Sequence, residues 1–209
     1  MPNRGDRGGS KTRARISAVA TELFLQRGFD EVTIADIAAA AGVSKVTVFS
    51  HFERKEDLLL DRLPDAIEIV RTTIRDRAMT VGPVEALHRR AVELAEERHA
   101  LSGLSERSEP FMRVLLASPT LIARLRAFAY EIEAALAADL DRYARPAIES
   151  RLVAALLVAA YRTVISETVR LRLDGIDLAD VAAGHRQRLD AAFASVARAV
   201  SPADPADEA

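Results

Sequence analysis

Cysteine is missing from this chain of 209 residues, which excludes disulfides, thiolate metal sites and thiol catalysis. Net charge is also nearly missing, at −2, so bulk charge points to no partner. Long hydrophobic runs are absent too. The longest, Leu152 to Tyr161, is ten residues, well short of the roughly 18 that a bilayer span needs, and the polar first residues hold no signal-peptide core. These absences predict a cytoplasmic protein without a membrane partner. The signatures of catalysis are likewise lacking. His51, His88, His99 and His185 lie far apart, with no HExxH pair, and no phosphate-cradling glycine loop or GxSxG turn occurs. Glu93, Glu96 and Glu97 sit among arginines on a helical stretch and read as a solvated face. No metal, no cofactor and no enzyme activity are expected.

What is present is 49% hydrophobic residues, enough for a substantial core, and one strongly patterned stretch, Thr33 to Phe52. Thr33 and Asp36 have the spacing of a capping box. Ile34, Ile37, Ala38 and Ala41 then recur at helical spacing and form one apolar face. Gly42 suits the left-handed end of that helix, and Ser44 suits the N-cap of another. On this second helix Val48 and Phe52 fall on one side, and Val46, Thr47, Ser50 and His51 spread over the other, with Lys45 at its start. A short outer face of this kind fits a DNA groove better than solvent. The first 15 residues add five basic side chains, Arg4, Arg7, Lys11, Arg13 and Arg15, against Asp6 alone, which suits a phosphate backbone.

The segment AGVSKVTVFSHFERKEDL, preceded by ELFLQRGFDEVTIADIA, resembles the DNA-binding domain of the tetracycline-repressor (TetR) family over roughly the first quarter of the chain. The resemblance implies an all-α homodimer in which Thr33, Ser44, Lys45, Val46, Thr47, Phe49, Ser50, His51 and Lys55 face a palindromic double-stranded DNA operator. Phe49 departs from the family pattern, which usually has a tyrosine there, and Val46 is bulkier than usual.

Along the chain the expected order is a flexible basic arm (1–11), a helix-turn-helix domain (12–57), a larger helical ligand-binding and dimerisation domain (58–200), and an acidic, disordered tail (201–209). A first helix is predicted from Thr12 to Gln26. A small core of Phe24, Phe29, Ile34, Ile37, Val48 and Phe52 completes a three-helix head. A fourth helix is expected from near Lys55 to about Met79, bent before Pro64. Others follow at Pro83 to His99, Glu109 to Ala117, Pro119 to Tyr143, Pro146 to Leu173, and from Asp177 to before Ser201, about nine in all and with no strand.

By the same resemblance the later helices surround an effector cavity. Met79, His88, Phe111, Met112, Leu115, Phe128, Tyr130 and Tyr161 supply bulky lining suited to an apolar or amphipathic small molecule. The last two helices suit the family's dimer interface, with Ala155 and Ala159 permitting close approach beside Phe193 and Val196. The expected function is a ligand-responsive transcriptional regulator, most simply a repressor. The alternatives are a small-molecule-binding helical protein without DNA binding and an unrecognised enzyme.

Overall fold

The first helix, α1 (Arg4–Arg27), starts eight residues ahead of the expected Thr12. The segment expected as a basic arm is thus helical from Arg4, although its glycines are poor helix formers. The computed structural model describes residues 4–106, 108–144 and 149–201, with side chains from residue 9 onward. The expected tail beyond Ser201 and the predicted helix start at Pro146 lie outside the described residues. Among the described residues the fold is all α-helical, with no strand. After α1 come α2 (Ile34–Ala41), α3 (Lys45–Phe49), α4 (Leu63–Arg75), α5 (Pro83–Glu96), α6 (Glu109–Ala117), α7 (Pro119–Tyr143), α8 (Ser150–Leu173) and α9 (Leu178–Val200). Single turns of 3-10 helix occur at Glu56–Leu58 and Ala100–Ser102.

Contacts divide the chain into two compact units. One comprises the chain through Leu63 plus Pro110–Arg126; the other comprises Pro64–Glu109 and the chain from Ala127 onward. The first unit therefore runs past the expected boundary at residue 57, because Leu58, Leu59, Leu60 and Leu63 are all buried. Its interior is built on one stripe of α1, Ile16, Ala20 and Phe24, all fully inaccessible. Phe29, Val32, Ile37, Val48 and Phe52 are buried with them, and the Phe24 and Phe29 rings lie 4.9 Å apart. Each such side chain is worth roughly 1.5–3 kcal/mol of burial. Ile34, expected in this core, is only half-buried, and Val32 takes its place. In the same unit Ser118 donates to the Asp30 carboxylate at 3.0 Å.

The expected long fourth helix resolves into the 3-10 turn at Glu56–Leu58 and a separate α4. Pro64 stands in the first turn of α4, where its missing N–H costs nothing, so it starts a helix instead of bending one. Met79 falls in a turn beyond the helix end.

The second unit packs α4, α5, the later part of α7, α8 and α9 around Ile74, Leu87, Val92, Leu136, Leu140, Val153, Leu157, Val164, Leu189, Phe193 and Val196. The short link from Asp174 to Asp177 returns α9 along α8 as a helical hairpin. By length and composition alone α8 could cross a membrane, but one side of it, Val153, Ala154, Leu157 and Val164, lies in this core. Among the described residues its other side is partly open, with Leu152 half exposed.

Arg77, Arg172 and His185 make specific polar contacts in this unit. The Arg77 guanidinium donates to the carbonyls of Ile74 and Tyr143, each at 2.7 Å, satisfying acceptors at the ends of α4 and α7 that have no helical donor. Arg172, almost fully buried, pairs with Glu109 at 3.0 Å. His185 is inaccessible to solvent, with Nδ1 2.7 Å from the Thr168 hydroxyl and no partner on Nε2 among the described residues. Burial first, and then the Arg188 charge, pushes its pKa from 6.5 down to about 4.

His185 is therefore neutral in the fold, whereas the unfolded chain protonates it near pH 6.5. Its contribution to stability is complete above that pH and is lost as the pH falls towards 4, a loss on the order of 3 kcal/mol. His185→Leu should flatten the fall of the urea midpoint between pH 7 and pH 4. An unchanged slope would place the titrating group elsewhere.

Candidate nucleic-acid interface

Thr33 precedes α2 in extended conformation (φ −101°, ψ 160°), and its hydroxyl accepts the Asp36 N–H at 3.2 Å. The Asp36 carboxylate returns to the Thr33 backbone N–H at 2.8 Å and accepts from its hydroxyl at 2.8 Å. These bonds, the backbone one foremost, hold the Asp36 carboxyl below its usual range. Gly42 adopts φ 63°, ψ 41° and ends α2, with its N–H and that of Val43 reaching back to Ala39 and Ala38. A side chain at this left-handed position would be strained. Ser44 then caps α3, its hydroxyl accepting the Thr47 N–H at 3.0 Å. The helix-turn-helix expected from the spacing is thus present, cap for cap.

On α3, Val48 is fully buried and anchors the helix. The opposite side is open: Val46 is 78% exposed and Phe49 53% exposed, and Lys45 and Ser50 are exposed beside them. The small hydroxyls are engaged within the helix. Ser44 and Thr47 hydroxyls lie 2.8 Å apart, and Ser50 donates to the Thr47 carbonyl at 2.8 Å.

Lys55 stands apart from the other expected DNA contacts. Its ammonium donates to the Phe29 carbonyl at 2.6 Å and sits 4.3 Å from the centre of the Phe29 ring. Desolvation by burial lowers its pKa. Lys55 thus ties the end of the interface to the loop after α1.

Arg13, read from sequence only as one charge of a basic leader, has a local role. Its guanidinium lies 4.1 Å from the Phe52 ring centre and donates to the His51 carbonyl just past the end of α3. Its position three and four residues before Ile16 and Ser17 places it on the inner edge of α1, the signal that could have found it. Ser17 makes a second tie, donating to Asp61 at 2.7 Å.

The expected effector residues differ in exposure. Met79 is 85% exposed and Tyr130 72% exposed, so both face solvent where the cavity reading needs them enclosed. Met112 and Phe128 are buried and Phe111 and Leu115 half-buried, but Phe111, Met112 and Leu115 belong to the first unit and the other five residues to the second. Tyr161 spends its hydroxyl on the Leu101 carbonyl at 3.1 Å, and burial raises its pKa. Within the second unit a cleft of about 540 Å³ is lined by Val84, Val153, Phe193 and Val200, and of the expected residues it takes in only His88. His88 Nε2 lies 2.8 Å from an Asp190 carboxylate oxygen, and its ring is 5.2 Å from that of Phe193.

The dimer residues divide as well. Phe193 and Val196 are buried in the protomer's own core and are corrected from interface to core. Ala155 and Ala159 are half-buried, on the side of α8 that also holds the exposed Leu152, Thr163 and Ser166.

This head is that of a helix-turn-helix transcriptional regulator. Residues 16–61 match the family described as bacterial regulatory proteins, tetR family. The chain is 29% identical over 191 residues to the HTH-type transcriptional regulator TcmR of Streptomyces glaucescens, covering 86% of this chain and 82% of that protein. Among solved structures its fold is similar to NalD, the secondary repressor of the MexAB-OprM multidrug efflux pump in Pseudomonas aeruginosa. That match has a TM-score of 0.57, 19% identity, and covers 95% of this chain and 100% of the other. The SmeT–triclosan complex is similar at a TM-score of 0.61, 21% identity, and coverage of 92% and 93%. Residues 16–61 therefore carry a tetR-family DNA-binding domain, and the chain is a DNA-binding transcriptional regulator.

Replacing Arg13 by alanine removes a cation–π contact and a charged hydrogen bond at the end of α3. The expected loss is about 1–3 kcal/mol of stability, read as a lower urea midpoint. An unchanged midpoint would show that α3 is held without it.

Proposed function

We propose that this regulator is a repressor that acts as a homodimer on a palindromic operator in the cytoplasm and leaves it when a small apolar or amphipathic molecule binds. The observation that carries the reading is the capped α2–turn–α3 unit presenting Lys45, Val46 and Phe49 outward. Thr33, Ser44, Thr47, Ser50 and His51 complete the proposed contact set. Thr33 and Ser44, at helix starts, are placed for phosphates, and Lys45, Val46 and Thr47 for base edges. Repression is supported by NalD being a repressor, and an aromatic ligand by the triclosan bound to SmeT. The proposed ligand acts through the second unit, and its coupling to DNA is reciprocal, so operator must weaken ligand binding by the factor by which ligand weakens operator binding.

The test is a gel shift with duplexes from upstream of the regulator's own and neighbouring genes. Lys45→Ala is expected to weaken the best duplex by about 1–3 kcal/mol while changing random DNA less, provided Lys45 reads a guanine. Equal losses on both would leave Lys45 a phosphate contact only.

Dimerisation is proposed along the outward sides of α8 and α9. Leu152, Ala155 and Ala159 of α8 and Ala183, Ala191 and Ala194 of α9 present a surface of small and apolar side chains. An isologous pairing there would set two heads about one helical turn of DNA apart. Ala159→Arg should give a helical monomer by light scattering that no longer retards the operator. A variant that stays dimeric would move the interface elsewhere.

A further inference from the structure

The outward face of α3 carries two side chains that the fold does not explain. Val46 and Phe49 are three residues apart, hence neighbours on one face of the helix, and they are 78% and 53% exposed. Neither adds to the core, which α3 reaches through Val48. A β-branched and an aromatic residue are also indifferent helix formers, so helix propensity does not account for them in a helix of five residues. The hydroxyls on either side, Ser44, Thr47 and Ser50, are already hydrogen-bonded within the turn and helix. The first things a ligand meets on this face are therefore an isopropyl group, a phenyl ring and the Lys45 ammonium.

Resting on the reading of α3 as the DNA-facing helix, we propose that Val46 and Phe49 recognise thymine through its C5-methyl group, so that each operator half-site carries thymines at the positions these two side chains meet. The C5-methyl is the apolar feature of the major-groove edge of a base pair, and cytosine lacks it. An apolar side chain cannot discriminate by hydrogen bonding, so it favours a base that buries a methyl against it. Lys45, beside Val46, supplies the charge that draws the face to DNA, which distinguishes this occupant from a second apolar protein surface. Phe49 also lacks the hydroxyl with which a tyrosine could bond a phosphate, leaving its ring free for an apolar contact.

The experiment begins with duplexes selected from a random-sequence library by the full-length chain. Each thymine in the selected site is then replaced singly by deoxyuridine, which pairs identically and lacks only the methyl. Removal of a contacted methyl is expected to weaken binding about fourfold at one or two positions per half-site. Val46→Ala should bind the thymine and deoxyuridine duplexes equally at one of these positions while keeping the wild-type response at the other. Phe49→Ala should show the converse. Placing 5-methylcytosine where cytosine was substituted for a contacted thymine should recover part of the lost affinity. A selected site indifferent to every deoxyuridine replacement, or one whose response survives both alanine variants, overturns the methyl reading and leaves DNA recognition standing. Failure to select any duplex overturns DNA recognition by this face, and the methyl reading with it. Concentration-dependent self-association abolished by Val46→Asn would assign the face to protein contact instead.

Discussion

A helix of five residues cannot hold itself together, because the cost of nucleating a helical turn is not recovered over so short a length. The α3 segment exists only because it is held from outside at both ends and along one side. Ser44 satisfies one of its free N–H groups, that of Thr47, Gly42 sets its angle to α2, Val48 fixes it to the core, and Arg13 meets the carbonyl just beyond it. Every other feature of the first unit serves that requirement. The inaccessible stripe on α1 is the floor on which α2 and α3 stand, and Lys55 and Ser17 tie the segments that follow α3 back to the same floor. Because the restraints come from the inner side, the outer side is left free to be chosen for what it meets.

In the second unit the organising problem is different. Long helices need no help to form, but their ends and their few buried polar groups must be satisfied. Arg77 answers two helix ends with one guanidinium, and Arg172 brings a buried charge into contact with Glu109. His185 is answered only halfway, by Thr168, and so remains neutral. Such groups add less to net stability than the aliphatic core around Leu140 and Leu189. They make its arrangement specific instead, because each would be costly in any packing that left it alone.

What could be read in the sequence was what depends on near neighbours in the chain. The capping box at Thr33 and Asp36, the turn at Gly42, the cap at Ser44, the bounds of α6 and α7 and the start of α9 all rest on residues within a few positions of one another, and the structure has them. The family resemblance, carried by those same local signals, was legible for the same reason. What was missed depends on distance. Lys55 reads as a DNA contact until the carbonyl of Phe29, 26 positions earlier, is seen to accept a hydrogen bond from its ammonium. Arg13 reads only as one charge of a basic leader until His51, 38 positions later, is seen to accept a hydrogen bond from it. Two effector residues went astray in the same way, since bulk and aromaticity mark Met79 and Tyr130 as interior, but only the fold decides that they are outside.

The same distinction separates the two kinds of apolar residue left on the surface. A chain that buries Phe24, Phe29 and Phe52 in a small head does not lack room for hydrophobic side chains, so the exposure of Phe49 is not overflow. Nor is it a single stray residue of the sort every protein surface carries, for Val46 stands beside it on a helix whose buried side is already filled. On α8, by contrast, the open side beside Leu152 is mostly alanine, threonine and serine, residues that permit close approach of another helix but specify little. The two surfaces therefore ask for different partners. The first offers bulky, shaped contacts to something with small apolar features set in a polar edge; the second offers a smooth face to something equally smooth. A DNA groove and a symmetry-related helix pair, the partners proposed above, would meet those two demands respectively.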